Sequence, residues 1–270
     1  MTLLEWLEQN PSSQLVGECF AVRDDLMDAA DRLGHRAHLL PMSDTTLLSV
    51  SLGIALDGSI PVLEWPTSDL SNIATWLKTI PKDGKNAFPM VIRVHVHEEM
   101  NLAYSSLQHP LVEVWSVLSD TMRSEALQHA LARRKIVIVL ESATAIAWHR
   151  LEGRSVTSLS SSTTNDTPTN EAHCVIVSSN LHADIVQSSI DTLADDGIQI
   201  HWVEQHALSG FDETALQGIF DVGRVVCVGL PPDWVSTLLS KAFWRLESEP
   251  DFCTANTPAI QQAVYTSLES

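Results

Sequence analysis

The segment from Pro41 to Glu64 decides the fold of this chain, and it reads PMSDTTLLSVSLGIALDGSIPVLE. A polar turn at its start leads into leucine, valine and isoleucine at helical spacing, which predicts a helix over Thr45–Leu56 that ends at Asp57-Gly58. The apolar run Ile60–Glu64 predicts a buried strand. An acidic residue that caps a helix start is held at the carboxyl edge of a parallel sheet, where α/β proteins place their chemistry. Asp44, which precedes the helix, is therefore the first candidate site residue.

The same alternation of short apolar strands and amphipathic helices runs through most of the chain. It predicts an α/β fold with two domains, each a mostly parallel sheet flanked by helices. Further strands are expected at Leu15–Gly17, Arg36–Leu40, Pro89–Val94, Leu111–Val117, Ile136–Glu141, Cys174–Ser178, Ile198–Val203 and Gly223–Gly229. Further helices are expected at Met1–Glu8, Asp24–Leu33, Leu70–Thr79, Asp120–Arg133, Ala183–Leu193, Glu213–Gly218, Trp234–Arg245 and Pro258–Leu268.

A change of composition marks the boundary between the two halves. Between Ser155 and Asn170 serine and threonine dominate and no apolar periodicity survives, which favours a flexible linker. The expected organisation is an α/β domain at 1–154, a linker at 155–170 and a second α/β domain at 171–270. The alternative is a long surface loop inside one domain, which is uncommon for a segment of this length.

The charge balance is strongly acidic and restricts the kinds of partner. The 270 residues include 34 Asp and Glu against 16 Lys and Arg, a formal net charge of −18. Such a surface repels phosphate backbones and anionic lipid head groups, so we expect neither nucleic-acid nor membrane binding. The first residues lack the pattern of a signal peptide and no apolar run reaches the ~20 residues of a transmembrane helix, so we expect a cytoplasmic protein. Four widely spaced cysteines without a metal or redox motif agree with a reducing compartment.

Five stretches together resemble one protein family: Gly17-Glu18, Leu40–Asp44, Gly53–Glu64, Phe88–Arg93 and Ile136–Glu141. They are similar to the β subunit of the decarboxylase component of 2-oxo acid dehydrogenases, the pyruvate and branched-chain type. The order of elements in the second half resembles the C-terminal domain of the same subunits and of transketolases. The resemblance implies a pyrimidine-binding-like domain at 1–154, a transketolase C-terminal-like domain at 171–270 and an oligomeric oxidoreductase.

In that family a glutamate in the matching turn activates thiamine diphosphate by bonding to its aminopyrimidine ring. The resemblance assigns this catalytic role to Asp44, and it makes Met42, Asp44 and Thr67 the candidate cofactor-binding residues. Aspartate is one methylene shorter, so its carboxylate falls short by roughly 1.5 Å. A misplacement of ~1 Å at a reacting group can cost on the order of 10²-fold in rate. The family also has aromatic residues, including one that packs against the pyrimidine, where this chain has Thr67 and Leu70.

The diphosphate of the cofactor and its magnesium ion are held in this family by an α subunit with a glycine-aspartate-glycine motif. The Asp-Gly pairs of this chain, at Asp57, Asp83 and Asp196, lack that context, so no metal ligand is assigned here. The resemblance therefore implies an α-type partner subunit, self-association, or both. Two hypotheses follow. The chain is a catalytic β-type subunit that supplies the pyrimidine side of a shared site, or it is a non-catalytic scaffold or regulatory relative, a pseudoenzyme.

Histidines supply two further candidates. The family inserts a glycine-rich loop and a functional histidine after the strand that contains Arg93, whereas Val94–Pro110 is short and lacks glycine. His109 is the nearby histidine. Its position favours a place in the connection into the next strand over a catalytic role. The run His95–Glu99 places two histidines on one face beside two acids, but without a spaced third ligand the pattern favours a solvated loop over a metal site. The short loop and the shortened acid favour the scaffold hypothesis, while the intact Leu40–Glu64 framework fits both.

Overall fold

The computed structural model describes residues 2–18, 20, 26–40, 43–66, 69–82, 88–96, 107, 109–143, 162–208, 219–230, 236, 240 and 245–269. The chain divides into two compact units, Met1–Leu159 and Ser160–Ser270. Each unit holds one sheet flanked by helices, which confirms the expected α/β fold class. The finer boundaries at 154 and 170 stay a prediction.

The first unit is built on a six-stranded sheet in which all paired neighbours run parallel, in the order β2-β1-β3-β4-β6-β5. The central strands are buried along their whole length because helices cover both faces of a parallel sheet. The strands are β1 (Ser13–Gly17), β2 (Ala37–Leu39), β3 (Ile60–Trp65), β4 (Met90–Val96), β5 (Val112–Ser116) and β6 (Ile136–Ser142).

Three described helices of the first unit, the first, third and fifth, begin after a residue whose side chain accepts a hydrogen bond from an amide of the first turn. Thr2 and Glu5 form a capping box at the first helix, and Ser119 accepts from the Met122 amide at the fifth. The third helix packs against β1 and β3, and the fifth against β4 and β6. These helices are α1 (Leu3–Gln9), α2 (Ala29–Leu33), α3 (Asp44–Leu56), α4 (Ser71–Leu77) and α5 (Asp120–Arg133).

The second unit holds a five-stranded sheet in the order β11-β10-β8-β9-β7. Four of its strands are parallel, and β7 pairs antiparallel with β9. Its strands and described helices are β7 (Ser162–Thr164), β8 (Cys174–Ser179), β9 (Ile200–Gln205), β10 (Val225–Val228), β11 (Asp251–Cys253), α6 (Ala183–Asp195) and α7 (Thr257–Glu269).

Three elements differ from the sequence expectation. Within the described part of the helix expected over Asp24–Leu33, which begins at Leu26, only α2 is helical, because a turn closed by the Leu26 carbonyl and the Ala29 amide precedes it. Part of the expected linker forms β7, since pairing with β9 uses backbone groups and needs no apolar side chains. The short edge strand β11 was not expected.

The helices expected near 213–218 and 234–245 fall outside the described residues, apart from isolated positions. Among the described helices, none combines the length and the apolar character needed to cross a membrane.

Candidate functional site

Asp44 lies in the first turn of α3, on the side of the first sheet where the parallel strands end. The expectation that Asp44 caps this helix is wrong, because Ser43 is the N-cap. Ser43 has the extended backbone of a cap residue, and its hydroxyl accepts from the Thr46 amide at 3.4 Å. The carboxylate of Asp44 is therefore not used for capping and is available to other partners.

The carboxylate of Asp44 is held by a residue that the sequence did not point to. Asn72 in α4 donates from Nδ2 to Oδ2 of Asp44 at 2.7 Å and so joins the beginnings of two neighbouring helices. The Asp44 side chain is half-buried and Asn72 is exposed. The other two candidates, Met42 and Thr67, lie outside the described residues.

The strand order places this turn beside the point where the topology of the sheet reverses. The chain runs from β1 to β2 on one side and then returns across β1 to β3 on the other. Ligands of open α/β sheets bind in the crevice at such a reversal, outside the carboxyl ends of the strands. Gly17 ends β1 here, and a Cβ added to it would lie 2.6 Å from the Phe20 ring and 3.2 Å from Cβ of Glu64. Glycine therefore lets neighbouring groups approach closely at this edge.

Farther along the same edge, four charged side chains form a buried series of ion pairs that we call the ladder. Its members are Glu64, Arg93, Glu141 and Arg123. Arg93 donates from Nη1 to Oε1 of Glu64 at 3.0 Å and from Nη2 to Oε2 of Glu141 at 2.8 Å. Arg123 in α5 donates to both oxygens of Glu141, at 2.5 and 3.1 Å, and also contacts Asp120. The ladder thus joins β3, β4, β6 and α5 through charge-assisted hydrogen bonds.

Strand register explains why these groups meet. Glu64 is the registered partner of Arg93, and Glu141 is the registered partner of His95. Because alternate residues of a strand share a face, the side chains of these four strand residues, including His95, project to the same side of the sheet, and Arg123 reaches Glu141 from α5. Two acids therefore face one arginine within a layer that is otherwise apolar.

Burial and neighbouring charges shift the pKa values of the ladder residues in opposite directions, and the effect of the charges is larger. Burial alone would raise the pKa of Glu141, but Arg93 and Arg123 hold that pKa far below its ordinary value. The pKa of Glu64 is likewise lowered against its burial, through Arg93 and His95. Burial opposes the charge on Arg123 too, yet Glu141 raises the pKa of that guanidinium. The ladder is ionised at neutral pH, so it acts as a fixed brace and not as a proton donor.

The histidine candidates separate in the structure. Nε2 of His95 lies 3.6 Å from Oε2 of Glu64, which is beyond hydrogen-bond range but close enough for an electrostatic contact. His97 and the two acids after it lie outside the described residues. Across the described part of the chain, no three His, Cys, Asp or Glu side chains are grouped so that they could hold a metal ion.

His109 has a structural role in the connection into β5. Its ring is buried, with Nε2 at 3.1 Å from the Ile80 carbonyl and Nδ1 accepting from the Leu111 amide at 3.2 Å. The carbonyl requires a donor at Nε2 and the amide requires an acceptor at Nδ1, which fixes the tautomer. Both ring nitrogens are thus committed to the backbone.

The ladder is the feature that sequence reasoning missed. Glu64, Arg93 and Glu141 lie in segments that the sequence predicts as strands, and Arg123 lies in a predicted helix, but the sequence analysis did not pair their charges. The sequence does contain a signal for such ion pairs. Glu64 and Glu141 each lie near the end of an apolar strand, and Arg93 interrupts another apolar strand. Charges in fully buried strands are rare unless they are paired.

Comparison with known proteins supports the fold of the chain alone. No protein-family profile matches the chain, and no curated protein matches its sequence. A solved split-gene transketolase, described as an inactive β4 tetramer, is similar with a TM-score of 0.73 and 14% identity, over 99% of this chain and 95% of that one. A 2-oxoglutarate:ferredoxin oxidoreductase from Magnetococcus marinus, solved with 2-oxoglutarate, coenzyme A and succinyl-CoA bound, is similar with a TM-score of 0.66 and 10% identity. That match covers 99% of this chain and 65% of the oxidoreductase chain. The chain therefore has a transketolase-like fold.

Proposed function

We propose that this chain is a β-type subunit of a thiamine-diphosphate enzyme and supplies the aminopyrimidine side of a site shared with an α-type subunit. The observation that carries the proposal is the position of Asp44, in the first turn of α3 beside the topological reversal of the first sheet. Sequence resemblance gives the same residue the role of the pyrimidine-activating acid. The shared fold with a transketolase agrees with this role.

The Asp44 carboxylate fits the chemistry of a protonated ring nitrogen. One oxygen, Oδ2, accepts from Asn72, which restrains the side chain and leaves Oδ1 for a further donor. A carboxylate at the first turn of a helix is also stabilised by the free backbone amides there. When bound, thiamine diphosphate supplies the chemistry for decarboxylating a 2-oxo acid or transferring a ketol group. The part of this chain is to hold the ring and share a proton with it at the carboxylate.

The diphosphate end of the cofactor and its magnesium ion are assigned to the partner. The Asp-Gly pairs of this chain are not part of a glycine-aspartate-glycine motif like the one that binds the diphosphate in this family. We therefore propose an α-type partner that holds magnesium, alongside self-association of this chain. The tetrameric assembly of the split-gene transketolase supports an oligomer.

Calorimetry on the native complex tests the proposal. The chain is purified with the partner that co-purifies from native extract, and thiamine diphosphate with magnesium is titrated into the complex. Asp44→Ala removes a charged acceptor worth about 1.5–3 kcal/mol, so the dissociation constant should rise by roughly 10- to 150-fold. Asp44→Glu restores the missing methylene and should bind at least as tightly as the wild type.

Asp57→Ala is the matched control, because Asp57 is an exposed carboxylate at the opposite end of the same helix. It should leave the dissociation constant unchanged. Equal binding by the wild type and Asp44→Ala, or no heat at millimolar cofactor, would remove the proposal.

A second candidate is a non-catalytic scaffold. The observation in its favour is that the Asp44 carboxylate is already engaged by Asn72, as expected of a plain tie between two helices. On this hypothesis the complex with the partner forms but binds no thiamine diphosphate. Asp44→Ala and Asn72→Ala should then both lower the melting temperature, since both break the same hydrogen bond, and Asp44→Ala should lower it more because it also removes a carboxylate from the first turn of the helix.

A further inference from the structure

Two buried polar atoms that face each other at the carboxyl edge of the first sheet make no hydrogen bond within the described part of the chain. They are Oε2 of Glu64 and Nε2 of His95, and the distance between them is 3.6 Å. Buried polar groups are nearly always hydrogen-bonded, and a catalytic role is one reason for an exception. We call these two side chains the Glu64–His95 pair.

Glu64 is the fixed and charged member of the pair. Its side chain is 6% exposed, and its other oxygen, Oε1, accepts from Nη1 of Arg93 at 3.0 Å. Although burial opposes the charge, Arg93 and His95 keep the pKa of Glu64 below its ordinary value. Oε2 is therefore a charged acceptor held in front of the imidazole of His95.

His95 is the member that a ligand can reach. Its side chain is 21% exposed, while Nε2 is buried. An approach of about 0.6 Å would bring Nε2 to an ordinary hydrogen-bond distance from Oε2 of Glu64, and such bonds often tighten only when a ligand binds. A neutral imidazole carries one proton, and the charged acceptor favours that proton on Nε2. The free lone pair is then on Nδ1, the nitrogen that is not buried.

The Glu64–His95 pair borders the crevice at the topological reversal of the sheet. A Cβ added to Gly17, at the end of β1, would lie 3.2 Å from Cβ of Glu64. His95 lies on β4, the strand beyond β3, and its side chain projects from the same face as Glu64. Neighbouring strands are ~4.8 Å apart, so His95 lies within about 10 Å of the end of β1. A ligand in the crevice can therefore extend to the imidazole.

The other described charges near the imidazole are engaged within the ladder. Arg93 is two residues earlier on the same strand face, and Glu141 on β6 is the registered partner of His95. Glu141 accepts from Arg93 and from Arg123 of α5. Oε2 of Glu64 is therefore the charge that acts most directly on His95.

We propose that His95 is a general acid–base residue of the shared site and that Glu64 is the residue that positions it. The inference rests on the proposed function for its reactant, the carbonyl oxygen of a 2-oxo acid or ketose. When a carbon nucleophile, supplied by the proposed cofactor, adds to the carbonyl carbon, the C=O electron pair moves to the oxygen. The protonated imidazole of His95 gives this oxygen the proton of Nδ1, which leaves a hydroxyl group and a neutral ring. In the reverse step Nδ1 takes the proton back, while the Nε2 proton stays on the ring beside Glu64.

Glu64→Gln tests the orientation of His95 without any cofactor. The guanidinium of Arg93 has only donors, so the carbonyl oxygen of glutamine will face Arg93 and the amide NH₂ will face His95. The imidazole must then accept at Nε2, which moves its proton to Nδ1. Nitrogen-15 NMR at alkaline pH, where imidazoles are neutral, should show the Nε2–H tautomer in the wild type and the Nδ1–H tautomer in the variant. His95→Gln identifies the signals, and circular dichroism checks that both variants fold.

Acylation by diethyl pyrocarbonate, located by peptide mapping, reports on the same lone pair. His95 should react about tenfold or more faster in the wild type than in Glu64→Gln, the ratio that a hydrogen bond to a charged acceptor imposes on two tautomers. His129 is the internal control, because its Nε2 lies 2.9 Å from Oε2 of Glu113, in a similar pair. It should react equally in both proteins.

Turnover by the native complex with thiamine diphosphate tests the chemical role. Hydroxypyruvate is the probe, since it is both a 2-oxo acid and a ketol donor. His95→Gln should lower kcat by about 10²- to 10⁴-fold and leave the calorimetric dissociation constant of the cofactor unchanged. His129→Gln is the matched control and should keep the wild-type kcat.

The inference and the proposed function fail in different experiments. An Nδ1–H tautomer in the wild type, or equal acylation of His95 in the wild type and Glu64→Gln, would overturn the inference. An unchanged kcat in His95→Gln would do so too, as would a complex that binds the cofactor but does not convert hydroxypyruvate. Absence of cofactor binding would remove the proposed function, and the NMR and acylation results would still decide whether Glu64 orients His95.

Discussion

Replacing Arg93 by methionine should destabilise the first unit strongly and in a pH-dependent way. Arg93 bridges Glu64 and Glu141, which are 5% and 2% exposed. In the variant Glu141 keeps Arg123, whereas among the described residues Glu64 keeps only the looser contact with His95. Breaking a buried ion pair in this way typically costs about 3–5 kcal/mol, because one charge stays buried without compensation.

The sign of the pH dependence follows from the pKa of Glu64. In the wild type this pKa lies below its ordinary value of 4.5, so the stabilisation is present above that value and is lost as the pH falls. Without Arg93 we expect burial, the largest influence on Glu64, to outweigh the remaining effect of His95 and to raise the pKa of Glu64 above its ordinary value. The variant then gains stability as the pH falls, because the buried carboxyl takes up a proton. The difference between wild type and variant should therefore be largest at pH 8 and shrink towards pH 5.

Urea unfolding at pH 8 and pH 5 measures this difference, and hydrogen exchange of peptides from β3, β4 and β6 reports on the first unit alone. Arg32→Met is the control, since Arg32 pairs with Glu8 on the surface and its loss should change little. Adding Glu64→Gln to Arg93→Met should recover part of the loss at pH 8. A loss below about 1 kcal/mol, or an equal loss at both pH values, would refute the reasoning.

Two further predictions concern groups outside the ladder. Burial raises the pKa of Cys174 to about 12 and that of Cys253 to about 11, so brief alkylation at pH 8 followed by peptide mapping should label these thiols only after unfolding in urea. The pKa of Glu113 is lowered despite its partial burial, mainly by the hydrogen bond from Lys135, so its stabilisation is present above about pH 4.5 and lost on acidification. Lys135→Met should therefore lower the free energy of unfolding by about 1 kcal/mol at pH 7 and by less at pH 4, as measured by urea unfolding. Equal effects of Lys135→Met at the two pH values, or rapid labelling of the native thiols, would contradict these expectations.

Helices and strands were predicted best where their bounds depend on residues that are neighbours in the sequence. The helix over Asp120–Arg133 has the bounds expected from its periodicity, and α3 begins one residue earlier than expected, at Asp44. Both helices follow a serine, and N-capping depends on residues that are neighbours in the chain. The strand β7 escaped prediction because its serine and threonine residues form a strand only through pairing with β9.

The place of Asp44 in the fold was predicted but its contacts were not, and its role in binding a cofactor stays a prediction. Asp44 lies at the carboxyl edge of the sheet, as the alternation of strands and helices predicts, while its hydrogen bond to Asn72 connects residues 28 positions apart. The periodicity of α4 predicts a helix but not which side chain of that helix reaches α3.

The sequence by itself determined the class of fold and the two-part organisation, because alternation and composition are properties of consecutive residues. Only the tertiary structure decided that Glu64, Arg93 and Glu141 form one ladder, since the bonded residues are 29 and 48 positions apart. Their meeting depends on strand order and register, which arise from the packing of the whole sheet and are not encoded in any single segment. The same holds for His109, whose ring is committed to backbone groups that only the fold brings within reach.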